Sequence, residues 1–528
     1  MKSFLRDLRW ILPPSFGLGL VLSLLGPGTW WIGWLSFGFV LTLGLMALTA
    51  LWRSTEAPRT LMLMLVLGAI LRLGLGIAFS YTLPVYGNDT RINQAGYAVR
   101  DAYSYDSEAW KLASSGEPLW KAFDRSYKAE NLYDDQYGGL LFFHSLFYRF
   151  LSPDVQRPWL LVLFSALAGA IGVALTWKGA RQSWGESTAW ITGWIMALYP
   201  ESLLAGSSAV REPFLILFSA MAFWGVVNRL TDRHPATWVW LAGGTFGMLI
   251  YSPGVAGAVL LLLGVWAWLR EKEHRISWWW GAGAALVVVL AALLLGVVVG
   301  GALQIPGGPL ANLANWLRYS ANYGAYVTEQ NSGWIEIIFN VLPDSLHMPF
   351  IIGYGIAQPV LPAAIADPAV WPMRALGILR GLGWYALLPF LFYSLRSILK
   401  LADKRDRLAW LWLWLVSWAW MIISAARAGG DQWDNPRYRV ILLLFQAALA
   451  AQALTWQRFT RDRWLGRILA VEGVFLIVFG YWYASRYWLL GLPVIPVFGI
   501  FGAILVVGCA ILLGGWVWDR RIKYNSHE

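Results

Sequence analysis

The chain has 528 residues, 58% of them hydrophobic and only 13% charged, with a formal net charge of +11. A mean hydropathy of +0.53 excludes an ordinary soluble protein. The basic residues sit in short clusters between apolar runs, where membrane topology puts them, and this excludes a nucleic-acid-binding surface. The single cysteine, Cys509, excludes an intramolecular disulfide.

A bilayer-spanning helix needs roughly 20 apolar residues, and such runs recur from end to end. The opening "MKSFLRDLRWILPP" lacks a small-residue cleavage site and predicts a first membrane anchor. In chain order, spans are predicted near 10–27, 30–52, 60–82, 158–177, 187–202, 212–230 and 237–251. Seven more follow near 253–270, 276–302, 372–398, 408–426, 437–456, 465–487 and 492–517. The predicted fold is an all-α membrane protein, a polytopic helical bundle of about 14 transmembrane helices. The 36 tryptophans fit interfacial belts and helix packing.

Orientation follows from Lys and Arg in the short loops. Pieces such as "RSTEAPR", "KGARQSWGE", "REKEHR" and "KLADKRDR" each carry at least two basic residues, which predicts cytoplasmic N- and C-termini. Two long polar segments are then left outside, 83–157 and 303–371. The expected organisation is an additional N-terminal helix pair (1–56), a core with the first outer loop (57–302), the second outer loop, and C-terminal helices (372–528). The apolar stretch 348–366 is expected to be re-entrant or interfacial, because a full crossing would invert everything after it.

The first outer loop contains an unexpectedly acidic stretch, "VRDAYSYDSEAWKLASSG" (99–116). A helix over 97–112 would align Tyr97, Asp101, Tyr105, Glu108, Ala109 and Leu112 on one face, with Asp106 elsewhere. That face suits a helix lying at the membrane surface with a carboxylate aimed into the protein. The same acids also fit local structural work: Asp101 or Ser104 as a helix N-cap, Asp106 and Glu108 as first-turn acids.

The order of flanking motifs adds to this. "AILRLGLGIAF" (69–79) puts Arg72 inside a span ahead of the acids, and its partner is not legible. After them come "YPESLLAGSSAVREPF" (199–214) and "DNPRYR" (434–439). This order resembles GT-C-type membrane glycosyltransferases, the bacterial relatives of protein O-mannosyltransferases and lipid A aminoarabinose transferases. Those have an outer-loop Asp with Tyr four residues on and a small residue four beyond, matched by Asp101, Tyr105 and Ala109. They also have a Pro-ended span before an acid-and-arginine stretch, matched by Pro200, Glu201, Arg211 and Glu212, and a late Arg-Tyr-Arg, matched by Arg437, Tyr438 and Arg439.

The resemblance implies a GT-C-like fold and transfer of a sugar from a polyprenyl-phosphate donor, with inversion, to a lipid, protein or polysaccharide acceptor on the extracytoplasmic face. The absence of a P-loop or a Gly-rich dinucleotide motif agrees with a lipid-linked donor. The acceptor hydroxyl needs a general base: Asp101 is the first choice, with Glu108 and Asp106 behind it. The leaving phosphate needs cations, for which the fork of Arg is well shaped: Arg211, Arg437 and Arg439. Tyr105, Glu201 and Glu212 complete the candidate residues. The five histidines have no ligand spacing, and a carboxylate-only site would take Mg²⁺ or Mn²⁺. Two other functions fit a chain of many spans: an O-antigen ligase or polysaccharide polymerase, which would use the second outer loop, and a glycan flippase or transporter.

Overall fold

The computed structural model describes residues 2–55, 58–231, 236–271, 308–312, 315, 333–487 and 491–525. The expected span 276–302 lies outside them. Among the described residues the secondary structure is helical, with no strand. In chain order the first helices are α1 (Lys2–Leu25), α2 (Trp30–Ser54), α3 (Arg59–Tyr86), α4 (Arg91–Gln94), α5 (Arg100–Ser114), α6 (Arg125–Glu130) and α7 (Gly139–Leu151). Then come α8 (Pro158–Trp184), α9 (Glu186–Leu198), α10 (Pro200–Gly206), α11 (Glu212–Thr231), α12 (Ala236–Tyr251) and α13 (Pro253–Arg270). The later helices are α14 (Gly333–Phe339), α15 (Asp344–Ala357), α16 (Leu361–Ala366), α17 (Trp371–Leu399), α18 (Lys404–Ala428), α19 (Asp434–Arg439), α20 (Leu443–Thr460), α21 (Trp464–Tyr487) and α22 (Val497–Asn525).

Eleven helices among the described residues are long and apolar enough to cross a membrane, each at an expected span. The chain is a multi-pass membrane protein. Two other expected spans, 187–202 and 237–251, hold shorter helices of 13 and 16 residues, α9 and α12. α9 stops at Tyr199 because Pro200 has no N–H to continue the ladder and disfavours helical geometry in the residue before it. α22 starts five residues after the expected 492, beyond Pro493 and Pro496. The apolar stretch 348–366 is divided between α15 and α16, separated at 358–360. Neither piece approaches the ~20 residues a crossing requires.

Contacts divide the chain into two compact units: Met1–Trp280 with Val440–Ala447, and Gly281–Arg439 with Ala448–Glu528. In the first unit α8 is the central helix, buried along nearly all its length. Its alanines and glycines allow close approach, as small residues do between membrane helices. The turn between α1 and α2 is latched to the segment before α8. Arg157 donates to the Thr29 carbonyl at 2.9 Å and pairs with Asp154, which accepts from the Thr29 N–H at 2.8 Å. In the second unit, α14 and α15 pack Trp334, Ile338, Phe339 and Ile351 against Phe479 and Trp482 of α21 and Val497 and Ile500 of α22.

Candidate functional site

The buried arginine of α3 finds its partners in the helix break. Because Pro200 offers no N–H, the last carbonyls of α9 lack their usual intrahelical donor. Arg72 supplies it: Nη2 donates to the Met196 carbonyl at 2.9 Å and to Ser202 Oγ at 2.8 Å. Nη1 reaches the Ala197 and Gly68 carbonyls at 3.2 and 2.9 Å. Space for the side chain comes from glycine, since a Cβ on Gly206 would collide with Arg72 Cδ. One cation thus fixes the broken α9–α10 corner that carries Glu201 into place. Buried irregular backbone is tolerated where its polar groups find such partners.

α5 is the helix of the acidic stretch, and it begins at Arg100 rather than at the expected 97. Gly96 takes φ +82°, Val99 is extended, and the Tyr97 carbonyl accepts from Asn93 Nδ2 at 2.9 Å, so the chain turns before entering the helix. Asp101 falls in the first turn and is half-buried. Two adjacent faces of α5 are covered, one with Tyr105, Glu108 and Leu112, the other with Ala102, Asp106, Ala109 and Ala113. Asp106, expected to point away from the working face, is fully enclosed. The hydroxyls of Tyr97 and Tyr148 both donate to it. Desolvation pushes its carboxyl up to about 6, against the lowering pull of those hydrogen bonds and that of Gln156.

The Asp106 arrangement has a testable consequence. An acid held up at about 6 in the fold, against an ordinary value near 3.8, favours the folded state most when protonated. Its contribution is full below about pH 4 and declines as pH rises to about 6. Thermal melts should therefore show this slope in the wild type, and Asp106→Asn should flatten it. An unchanged slope in the variant would dissociate Asp106 from it.

Glu108 faces a different neighbourhood. Its Oε1 accepts the Asp134 N–H at 2.7 Å. Burial pushes its carboxyl up to about 7, opposed by the backbone N–H groups of Asp134 and Asp135. Asp135 accepts from the Tyr137 and Leu141 N–H groups at 3.2 and 3.0 Å, tying the start of α7 to the loop before it. The following Gly138 sits at φ +89°, where a Cβ would collide with the Ala122 carbonyl oxygen. Only glycine fits there. This 134–138 loop is not among the residues expected from sequence, although "DDQYGG" carries a visible turn signal.

The acidic helix and the Pro200–Glu212 stretch, neighbours only in the expected motif order, are packed together. Ala102 lies against Ala205 and Val210, and Ala109 shares a cluster with Ala209. Beyond Val210, the Arg211 guanidinium lies over the Tyr137 ring at 5.6 Å. Glu201 and Glu212 are both buried. His144 is buried against Phe214, and burial pushes its ring down to about 3, so it is neutral.

The late arginines belong to the second unit. Arg439 is buried, donating to the Ile356 and Gln358 carbonyls at 3.2 and 2.6 Å, with its guanidinium 3.5 Å from the Trp384 ring centroid. It closes the C-terminal end of α15. Arg437 pairs with Asp434 at 3.3 Å and lies against Tyr438. Among the described residues no three His, Cys, Asp or Glu side chains group as a metal site requires.

Residues 142–297 match the family described as dolichyl-phosphate-mannose-protein mannosyltransferase. That match covers less than a third of the chain. Its matched residues include Glu201, Arg211 and Glu212 but begin after α5, and 272–297 lie outside the described residues. The GT-C-type resemblance seen in the sequence therefore holds. No curated protein matches the chain. A crystal structure of the Archaeoglobus fulgidus oligosaccharyltransferase, tethered to an acceptor peptide through a disulfide bond, is similar at 13% identity and a TM-score of 0.37. That similarity covers 87% of this chain and 55% of that one. The chain thus spans about half the length of that protein.

Proposed function

We propose that the protein is a membrane glycosyltransferase that moves a sugar from a polyprenyl-phosphate donor to a hydroxyl acceptor at the extracytoplasmic membrane surface. The observation that carries the reading is the docking of the acidic helix α5 onto the Pro200–Glu212 corner, inside the unit that contains most of the mannosyltransferase-family match. In this reading Asp101 accepts the proton of the acceptor hydroxyl. The hydroxyl oxygen bonds to the anomeric carbon as the bond from that carbon to phosphate oxygen breaks. The configuration inverts, and the polyprenyl phosphate leaves with the electron pair. Arg211, stacked on Tyr137, stabilises the charge on that phosphate. Glu108, held up at about 7, exists in both protonation states near neutral pH and tunes the field around Asp101.

The direct test is transfer from a radiolabelled polyprenyl-phosphate sugar by the purified chain in proteoliposomes, with a nucleotide sugar as the comparison. Label transferred only from the nucleotide sugar would overturn the reading. Arg211→Ala should reduce transfer about 100-fold, mainly through turnover, with Arg211→Lys recovering part. Equal rates for all three proteins would remove Arg211 from the phosphate.

A further inference from the structure

A second feature of the same unit lies outside the residues given catalytic roles. Between the polar segment 83–157 and the α12–α13 corner is a cavity of about 440 Å³, within the range of small-molecule sites. Its upper wall is Phe123, Arg125, Lys128, Gln136 and Tyr137, and its floor is Phe246, Leu249, Ile250 and Pro253. The lining contains two cations and no carboxylate. The floor continues into the exposed apolar side of α12, where Phe246 is 66% and Leu249 46% exposed.

The cavity is built by the local sequence. Gly139 brings the start of α7 against the end of α12, since a Cβ there would stand 2.5 Å from the Ile250 carbonyl oxygen. Lys128 is buried, and its Nζ donates to the Gln136 carbonyl at 3.1 Å. That leaves two of the three ammonium donors for another partner. The acids acting on Lys128 are Asp135, Glu108 and Asp124. Each directs oxygen elsewhere: Asp135 to Tyr137 and Leu141, Glu108 to Asp134, and Asp124 to the Ser126 and Tyr127 N–H groups. Arg125 is exposed at the rim.

A cationic cap above an apolar floor matches one chemistry, an anionic phosphate attached to a hydrocarbon chain. A free anion would leave the floor unused, and a neutral lipid would leave the remaining donors of Lys128 and the Arg125 guanidinium at the rim unused. We propose that this cavity binds the phosphate of a membrane lipid, with Arg125 and Lys128 as its ligands and the first carbons of the chain on Phe246 and Leu249. Two sources share this chemistry, the polyprenyl carrier and the bulk anionic lipids of the membrane. The site does not rest on the transferase reading, because binding is measured without turnover.

The experiment is native mass spectrometry of the purified full chain with farnesyl phosphate, and with farnesol as the uncharged control. The wild type should retain farnesyl phosphate well above farnesol. Arg125→Ala and Lys128→Met should each weaken retention about tenfold, the scale of one charged hydrogen bond. Met preserves the buried stem of Lys128, and the exposed Arg125 decides the matter should the Lys128 variant fold poorly. Displacement by an equal concentration of phosphatidylglycerol would assign the site to bulk anionic lipid; resistance would assign it to the carrier. Unchanged retention in Arg125→Ala, or farnesol held as well as its phosphate, overturns the proposal. Farnesyl phosphate retained normally by a chain that transfers no sugar would leave this site standing and remove the function proposed above.

Discussion

Asp101→Asn should abolish measurable sugar transfer while the protein melts at the wild-type temperature. The substitution keeps the shape of the side chain and removes its charge and its capacity to take a proton, and loss of a general base typically lowers rate roughly 10²–10⁴-fold. Folding should be spared because Asp101 is half-buried at the first turn of α5. The helix is held in addition by Asp106 between two tyrosines and by Glu108 on the Asp134 N–H. Asp101→Glu should retain a fraction of the rate, since the base is displaced and not deleted. The measurement is transfer from a radiolabelled polyprenyl-phosphate sugar in proteoliposomes, beside a thermal melt of the same preparation. Full activity of the Asn variant would refute the role of Asp101.

Asp101 and Asp106 also show how far the site was legible. Spacing put Asp101 on the working face and Asp106 off it. Sequence could not say that Asp106 is enclosed, because its two partners come from positions 97 and 148, a tyrosine before the helix and another 42 residues beyond Asp106. Helix positions were legible because an apolar run of roughly 20 residues has one stable arrangement in a bilayer. Starts and stops followed the prolines only where these were weighed. Pro200 ended α9, and Pro493 and Pro496 delayed α22, both recognisable from the missing N–H. The 134–138 loop escaped notice because its function is positional. Its backbone amides, not its carboxylates, hold Glu108, and a sequence displays side chains far more readily than backbone donors.

Arg72 marks the same boundary and carries the largest expected effect on stability. A charge within a predicted span was visible, and insertion scales set its cost at ~2.5–3.5 kcal/mol. Its partners were not visible, because three of the four are carbonyls and two of these lie at the end of another helix, α9. Arg72→Met should remove these bonds and leave the Met196 and Ala197 carbonyls buried without that donor. The Met196 carbonyl keeps the Ser202 hydroxyl at 3.2 Å, while a buried group left without a donor costs about 1–3 kcal/mol, so the melting temperature should fall by several degrees. Transfer should fall with it, since the α9–α10 corner positions Glu201 and the approach to Arg211. Arg72→Lys should recover only part, because a single ammonium cannot reproduce the guanidinium fork across three carbonyls and a hydroxyl. The decisive variant is the double substitution Arg72→Met with Pro200→Ala. An alanine in place of Pro200 offers the Met196 carbonyl the N–H that proline lacks, so the two penalties should sum to less than additive in a double-mutant cycle. Strict additivity would show that Arg72 and the break at Pro200 act independently.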